Sequence, residues 1–337
     1  MTRRISIALL TIVSLFLVAC GGSSDEVSLD TDAISEAGFL GAAVDRSTAE
    51  GFDFDMTLDV VLSIPGAPGI DADEVAFGSG SVDGQLSSFR MDMAAMTEAM
   101  GAPADTLGSG DLSMEVITDG DAGVTYIRAP FFASLAGQPG IPTSGLGGLE
   151  TLGDGWGRVD HSALGDAIPS ELLGQMSGGA VGFEPMLELV RNAENAREIG
   201  SDEINGTTAT GVAADITFDE MLGLSGMDLE SLMGSFGAPS AEVDAIVSAM
   251  SELTIPITVW LDDDARVVRV EMVLDMAPMF ERLGEQLGEE IPPGLKMSFG
   301  YTIDASNFGS PSDITVPEES TDITESYREL LSSMTGG

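Results

Sequence analysis

The sequence predicts an α+β protein built on an antiparallel sheet with one apolar face. Several segments alternate apolar and polar residues with a period of two, which is the pattern of strands buried on one side only. Shorter segments with helical spacing of apolar residues lie between them, and such helices would cover the apolar face. Because 43% of the residues are hydrophobic, the chain has enough apolar surface for a packed core.

The first strand is predicted over residues 52–64. Phe54, Met56 and Leu58 lie on its apolar face, and aspartates occupy much of the other face. A Pro-Gly pair follows and ends the segment, because proline cannot donate a hydrogen bond to a sheet.

The strands that follow are predicted on the same grounds. Met91 and Met93 alternate with polar residues, so we expect both on one face of a strand. A strand over 112–116 and a return strand over 124–128 are separated by an Asp/Gly-rich turn, which predicts a hairpin. Another alternating segment covers residues 207–218.

The C-terminal half contains the clearest hairpin. Strands over 254–261 and 266–276 flank an Asp-rich turn, and one more strand is predicted over 295–303. These strands contribute the following apolar residues to the same face: Met272, Leu274, Met297, Phe299 and Tyr301.

Helices are predicted wherever apolar residues recur at helical spacing. The predicted helical segments are residues 32–44, 184–193, three short helices within 219–250, 278–287 and 327–334. We expect the helices of 219–250 and the Gly-rich segment 137–153 to form a mobile lid over the sheet.

The N-terminus predicts export and lipidation. A basic start, an apolar run over residues 5–18 and the motif Leu17-Val18-Ala19-Cys20 resemble a bacterial lipoprotein signal with its lipobox. Residues 1–19 are then a signal peptide, and Cys20 is acylated with chains such as palmitate. Residues 20–40 form a flexible tether, so the protein is lipid-anchored and faces the outside of the cytoplasmic membrane. The apolar run is marginal for a membrane-spanning helix.

Composition excludes several classes of partner. The formal net charge is −43, with 56 acidic and 13 basic residues, so binding to nucleic acid is not expected. Cys20 is the only cysteine, and an intramolecular disulfide is therefore impossible.

Few residues predict catalysis or metal binding. His161 is the only histidine, which excludes a zinc cluster made of histidines and means that any Ser-His-Asp triad would have to use it. We predict a surface or capping histidine before a helix. The Asp262-Asp263-Asp264 segment lacks the calcium-loop pattern, so we predict a solvated turn. No enzyme activity, cofactor or metal is expected.

The 18 methionines are numerous and lie mainly on apolar faces. Methionine is flexible and packs irregular apolar shapes, so two interpretations remain open. One is a core in which methionine fills gaps. The other is the lining of a cavity for a flexible apolar ligand.

Several motifs, taken in order, resemble the LppX/LprG-type lipoproteins, which share the LolA-like fold. The motifs are Gly155–Asp160 with Trp156, Ile257–Asp262 with Trp260, Arg266–Arg269, Phe299-Gly300-Tyr301, Phe308-Gly309 and Val316-Pro317. The resemblance implies a curved antiparallel half-barrel closed by helices over an apolar cavity. We expect this lipid-binding domain to cover residues 41–317, followed by an acidic tail over 318–337.

The resemblance also implies a function. Such proteins hold acyl chains between sheet and helices and carry or present lipids outside the cytoplasmic membrane, without catalytic residues. The expected partners are a lipid or lipidated glycoconjugate and a membrane transporter. The expected cavity wall consists of Phe54, Met56, Leu58, Met91, Met93, Met272, Leu274, Met297, Phe299 and Tyr301. The alternatives are an envelope sensor or scaffold with a protein partner, and a hydrolase that uses His161.

Overall fold

Twelve strands and several helices form the part of the chain that the computed structural model describes, namely residues 39–63, 69–101, 110–130, 152, 155–164, 189–191, 194–218, 253–287 and 294–334. The strands are β1 (Phe52–Ser63), β2 (Ile70–Asp83), β3 (Leu86–Asp92), β4 (Ser113–Asp119), β5 (Val124–Arg128), β6 (Gly157–Asp160), β7 (Glu194–Ile204), β8 (Thr207–Thr217), β9 (Thr254–Leu261), β10 (Val267–Asp275), β11 (Lys296–Ser306) and β12 (Thr321–Asp322). The helices are α1 (Phe39–Glu50), α2 (Met93–Ala99), α3 (His161–Leu164), α4 (Ala277–Leu287) and α5 (Thr324–Met334).

All twelve strands join one open sheet in the order β12-β6-β5-β4-β3-β2-β1-β11-β10-β9-β8-β7. The chain runs strand by strand from the centre at β1 to β6, and it returns from the opposite edge at β7 to β11. β1 and β11 pair over eleven residues and join the two halves. β12 is parallel to β6, and the other pairs are antiparallel. The predicted α+β fold with an open, mainly antiparallel sheet is confirmed.

The chain beyond residue 317 is attached to this sheet. The backbone N–H of Thr321 donates to the carbonyl of Trp156 at 2.8 Å, and the N–H of Ile323 donates to the carbonyl of Arg158 at 3.0 Å. The Ile323 side chain is buried. The first part of the acidic C-terminal segment therefore extends the sheet edge before α5 begins.

Met93 does not continue the strand that contains Met91, contrary to the prediction. The carboxylate of Asp92 accepts hydrogen bonds from the backbone N–H groups of Ala94 and Ala95, at 2.9 and 3.1 Å. These are the otherwise unpaired donors of a helix start, so Asp92 caps α2 and the chain leaves the sheet there. Met93 is thus the first residue of α2.

Other predictions lie outside the described residues or differ in their bounds. The signal peptide, Cys20, most of the tether, the lid segments 137–153 and 219–250 and most of the helix 184–193 fall on residues that the structure does not describe. The first described helix is α1, which begins and ends several residues later than the predicted helix 32–44. Strands β2, β7 and β12 were not predicted.

The largest apolar core lies on one face of the sheet, which we call the inner face. α1 covers it at one end, where Leu40, Ala43 and Val44 are buried in the same core as Phe52. Ser47 connects α1 to the hairpin of β9 and β10. Its hydroxyl accepts a hydrogen bond from the backbone N–H of Val267 at 2.8 Å and donates one to the carbonyl of Ala43 at 2.9 Å. This end of the inner face is closed and packed.

Candidate functional site on the inner face of the sheet

Strand register brings most of the predicted wall residues together. Leu58 on β1 is opposite Tyr301 on β11, and Tyr301 is opposite Met272 on β10. Phe299 is opposite Leu274 in the same way. Residues that are directly opposite in antiparallel strands point to the same face, so three adjacent strands form one apolar surface. The role of these residues as the wall of a ligand cavity stays a prediction.

Burial changes along this surface. Near α1, Phe54 is 3% exposed and Ile303 is fully buried. Toward the other end of the same strands, Val60 is still buried, but five other apolar residues are only partly buried. We call this region the open end of the inner face, and it comprises Leu62, Leu274, Met297, Phe299 and Tyr301. Neighbouring apolar residues that stay partly exposed on one face are typical of a binding region.

The buried members of the predicted wall belong to the packed core. The rings of Phe54 and Phe89 are stacked, with centroids 6.2 Å apart. Gly80 on β2 lies between them in the sheet, and a Cβ at this position would be only 2.5 Å from the Phe54 ring. Met56, Leu58 and Met272 are also buried. The burial of the two methionines fits the interpretation that methionine fills gaps in the core.

The burial of Tyr301 has an electrostatic consequence. Its ring meets Phe77 edge-on at 5.8 Å, and burial raises the pKa of its hydroxyl above the usual value. The phenol therefore stays neutral at physiological pH, as an apolar surface requires.

Sequence reasoning missed several residues that border the open end. Ile70 and Val75 come from β2, Phe280 comes from the start of α4, and Met96 comes from α2. The hydrophobic spacing of α4 was visible in the sequence. By contrast, β2 is rich in Gly, Ser and Asp, which are uncommon in strands, and this composition hid it.

His161 is buried, which corrects the prediction of a surface histidine. It is 4% exposed at the first position of α3, and its Nε2 is 2.9 Å from the hydroxyl of Thr125. That hydroxyl lies 3.2 Å from the hydroxyl of Thr118. The Nδ1 atom has no hydrogen-bond partner in the described part of the chain. A triad needs a carboxylate at that nitrogen, and the described residues place none there.

The charge state of His161 should make stability depend on pH. Burial lowers the pKa of its imidazole, and the nearby Asp160 carboxylate only partly opposes this. As pH falls through about 6.5, the unfolded chain takes up this proton before the folded chain does, so folding becomes less favourable. We expect the free energy of unfolding to fall more steeply between pH 7 and 5 in the wild type than in His161→Gln, by at most about 1.4 kcal/mol per pH unit. Urea unfolding across this range measures the difference, and parallel curves would contradict it.

No metal centre or membrane span was found in what the structure describes. Within residues 39–334, apart from the gaps given above, no three His, Cys, Asp or Glu side chains are placed to hold a metal ion. None of the described helices combines the length and apolar character needed to cross a bilayer. In the predicted solvated turn, Asp263 and Asp264 are exposed, but the Asp262 side chain is buried against Arg266, which corrects the prediction for that residue.

Comparisons with known proteins found similarity only among solved structures. No family model matches the chain, and no curated protein sequence matches it. LprF from Mycobacterium bovis is 14% identical, with a TM-score of 0.34 over 83% of this chain and 94% of that one. The lipoprotein LppX from Mycobacterium tuberculosis is 11% identical, with a TM-score of 0.35 over 82% and 98%. An outer membrane lipoprotein-sorting protein domain from Vibrio parahaemolyticus is 9% identical, with a TM-score of 0.23 over 87% and 97%. The solved structures to which this chain is similar include two mycobacterial lipoproteins, LprF and LppX.

Proposed function

We propose that this protein is a non-enzymatic, membrane-tethered lipoprotein that binds acyl chains at the open end of its inner face. Its ligand is a lipid or lipidated molecule, which it carries or presents outside the cytoplasmic membrane. The observation that carries the proposal is the change in burial along β1, β10 and β11. An apolar surface packed at one end and partly exposed at the other supports an apolar ligand.

The energetics suit a long hydrocarbon chain. Each methylene group removed from water contributes about 0.8 kcal/mol, so an acyl chain needs no polar contact to bind well. The flexible side chain of Met297 and the planar ring of Phe299 both adapt to a ligand without fixed shape. The neutral phenol of Tyr301 adds no charge to this surface.

Identification of a co-purified lipid tests this function directly. Native mass spectrometry of the purified protein is followed by organic extraction and analysis of the extract. We expect a lipid bound at one copy per chain. A protein without lipid that also takes up no added fatty acid would favour the alternative, a sensor or scaffold whose apolar face is filled by its own side chains.

A single substitution at the open end should weaken lipid binding. Leu274 is partly buried on the inner face of β10, and Leu274→Asn places an amide in the path of an acyl chain. We expect the Kd for a fluorescent fatty acid to rise about tenfold, since burying one leucine contributes about 1.5–3 kcal/mol and only part of it applies here.

Its neighbour Val273 provides the matched control. Val273 is 47% exposed and points to the opposite face of the same strand, so Val273→Asn makes the same chemical change away from the proposed site. We expect fatty acid affinity to stay within twofold of the wild type. Equal effects of the two substitutions would place the ligand elsewhere.

A further inference from the structure

A groove of about 540 Å³ lies on the outer face of the same sheet, opposite the apolar core. Outward-facing side chains of β1, β2, β3 and β4 form its floor, and Trp156 lies at one end, just before β6. Four adjacent strands span about 14 Å at about 4.8 Å per step. The groove is therefore long enough for an extended ligand, and it shares no apolar surface with the proposed lipid site.

Several charged groups of the groove are held by hydrogen bonds or ion pairs. The Asp53 carboxylate accepts hydrogen bonds from Ser81 at 2.6 Å, from Asn307 at 2.8 Å and from Ser312 at 2.8 and 2.9 Å, and together these bonds lower its pKa despite partial burial. The Glu115 carboxylate pairs with the guanidinium groups of Arg90 at 2.5 Å and Arg128 at 3.3 Å. These contacts fix the shape of the groove, and Asp53 keeps its negative charge because all of its hydrogen-bond donors are neutral groups.

Other polar groups in the groove are not engaged. Within the described part of the chain, the indole N–H of Trp156, the carboxylate of Asp55 and the hydroxyls of Ser79 and Ser88 have no hydrogen-bond partner. They combine one flat aromatic surface with an exposed carboxylate and two hydroxyl groups that donate and accept. The side chain of Arg90 is 58% exposed and keeps N–H groups available beside them.

From this juxtaposition we infer that the outer groove binds an uncharged oligosaccharide. A sugar ring presents a flat C–H face to an indole and hydroxyl groups to carboxylates and serines, which is what the groove offers together. A polyanion is disfavoured by the net charge of −43. A cationic peptide is the competing ligand, because the carboxylates of Asp53 and Asp55 carry negative charge in the groove, and hexalysine is the probe for it. The proposal is independent of lipid binding.

The test uses the full-length protein in lipid nanodiscs and isothermal titration with maltohexaose, cellohexaose, chitohexaose and mannohexaose. We expect at least one of these sugars to bind. Trp156→Ala and the exposed substitution Asp55→Asn should each raise its Kd about tenfold. Trp260→Phe is the control, because Trp260 lies on β9 outside the groove and donates to Glu271 at 3.1 Å.

Three outcomes would overturn the proposal. One is the absence of binding to all four sugars, and another is binding that neither Trp156→Ala nor Asp55→Asn weakens. The third is binding of hexalysine, without any sugar, that Asp55→Asn abolishes, since this would assign the groove to a cationic peptide. Asp55→Asn keeps the test decisive if Trp156→Ala fails to fold, because Asp55 is exposed and its side chain holds no structural bond in the described chain.

Discussion

Replacing Cys20 by alanine is expected to abolish lipidation of the protein completely. Cys20 carries the only thiol in the chain, so no other residue can receive a thioether-linked lipid. The expected result is the loss of labelling by an alkyne analogue of palmitate. Processing at the same site should also stop, and the intact mass should show that residues 1–19 are retained. Both effects are all-or-none, because acylation and cleavage act at the same position.

Ser24→Ala provides the control for this substitution, since Ser24 follows the same site without taking part in the motif. It should be labelled and cleaved like the wild type. Persistent palmitate labelling of Cys20→Ala would show acylation at another kind of residue. A wild-type protein that begins elsewhere than Cys20 would show that the N-terminal segment is not a lipoprotein signal.

The strands that could be predicted are those whose side chains alternate clearly. Strands β2, β7 and the two-residue β12 were not predicted, and the first two show the physical reasons. β7 is mainly polar and exposed at the sheet edge, yet Asn205-Gly206 joins it to β8, with φ angles of 51° and 81°. An Asn-Gly pair between two strands is a strong hairpin signal, and it would have revealed β7. β2 was hidden by glycines such as Gly80, which are there because Phe54 leaves no room for a Cβ.

The sequence predicts which residues share the face of the candidate site, but it does not predict how deeply each of them is buried. Alternation places Phe54 and Phe299 on the same face because a strand has a period of two. Whether each side chain is buried or exposed depends on which helix covers it. The position of that helix is set by contacts distant in sequence, such as that of Ser47 with Val267. For the same reason His161 seemed exposed in the sequence, although Thr125 holds it in the interior.

Among single substitutions in the described chain, Asp262→Ala should be one of the most destabilising. The Asp262 side chain is only 3% exposed and accepts four hydrogen bonds within the turn between β9 and β10. Two come from the guanidinium of Arg266, at 2.6 and 2.8 Å, and one from its backbone N–H at 2.9 Å. Removal of the carboxylate leaves these donors and a largely buried cation without their main acceptor. We expect a loss of about 3 kcal/mol in the free energy of unfolding.

The neighbouring Asp263 allows a sharp control, because it lies in the same turn but is exposed and makes no side-chain hydrogen bond in the described structure. Asp263→Ala should change the free energy of unfolding by less than about 0.5 kcal/mol. Urea unfolding of both variants measures the difference, with the slope of the transition as a check that the same unit unfolds. Arg266 also reaches Glu50 on α1 at 3.2 Å and lies over the Phe308 ring at 4.8 Å. A loss in Asp262→Ala no larger than that in Asp263→Ala would mean that Glu50, Phe308 and the Asp264 carboxylate, 3.3 Å from the guanidinium, hold Arg266 without Asp262. The Asp262 carboxylate would then contribute nothing to the closed end of the inner face.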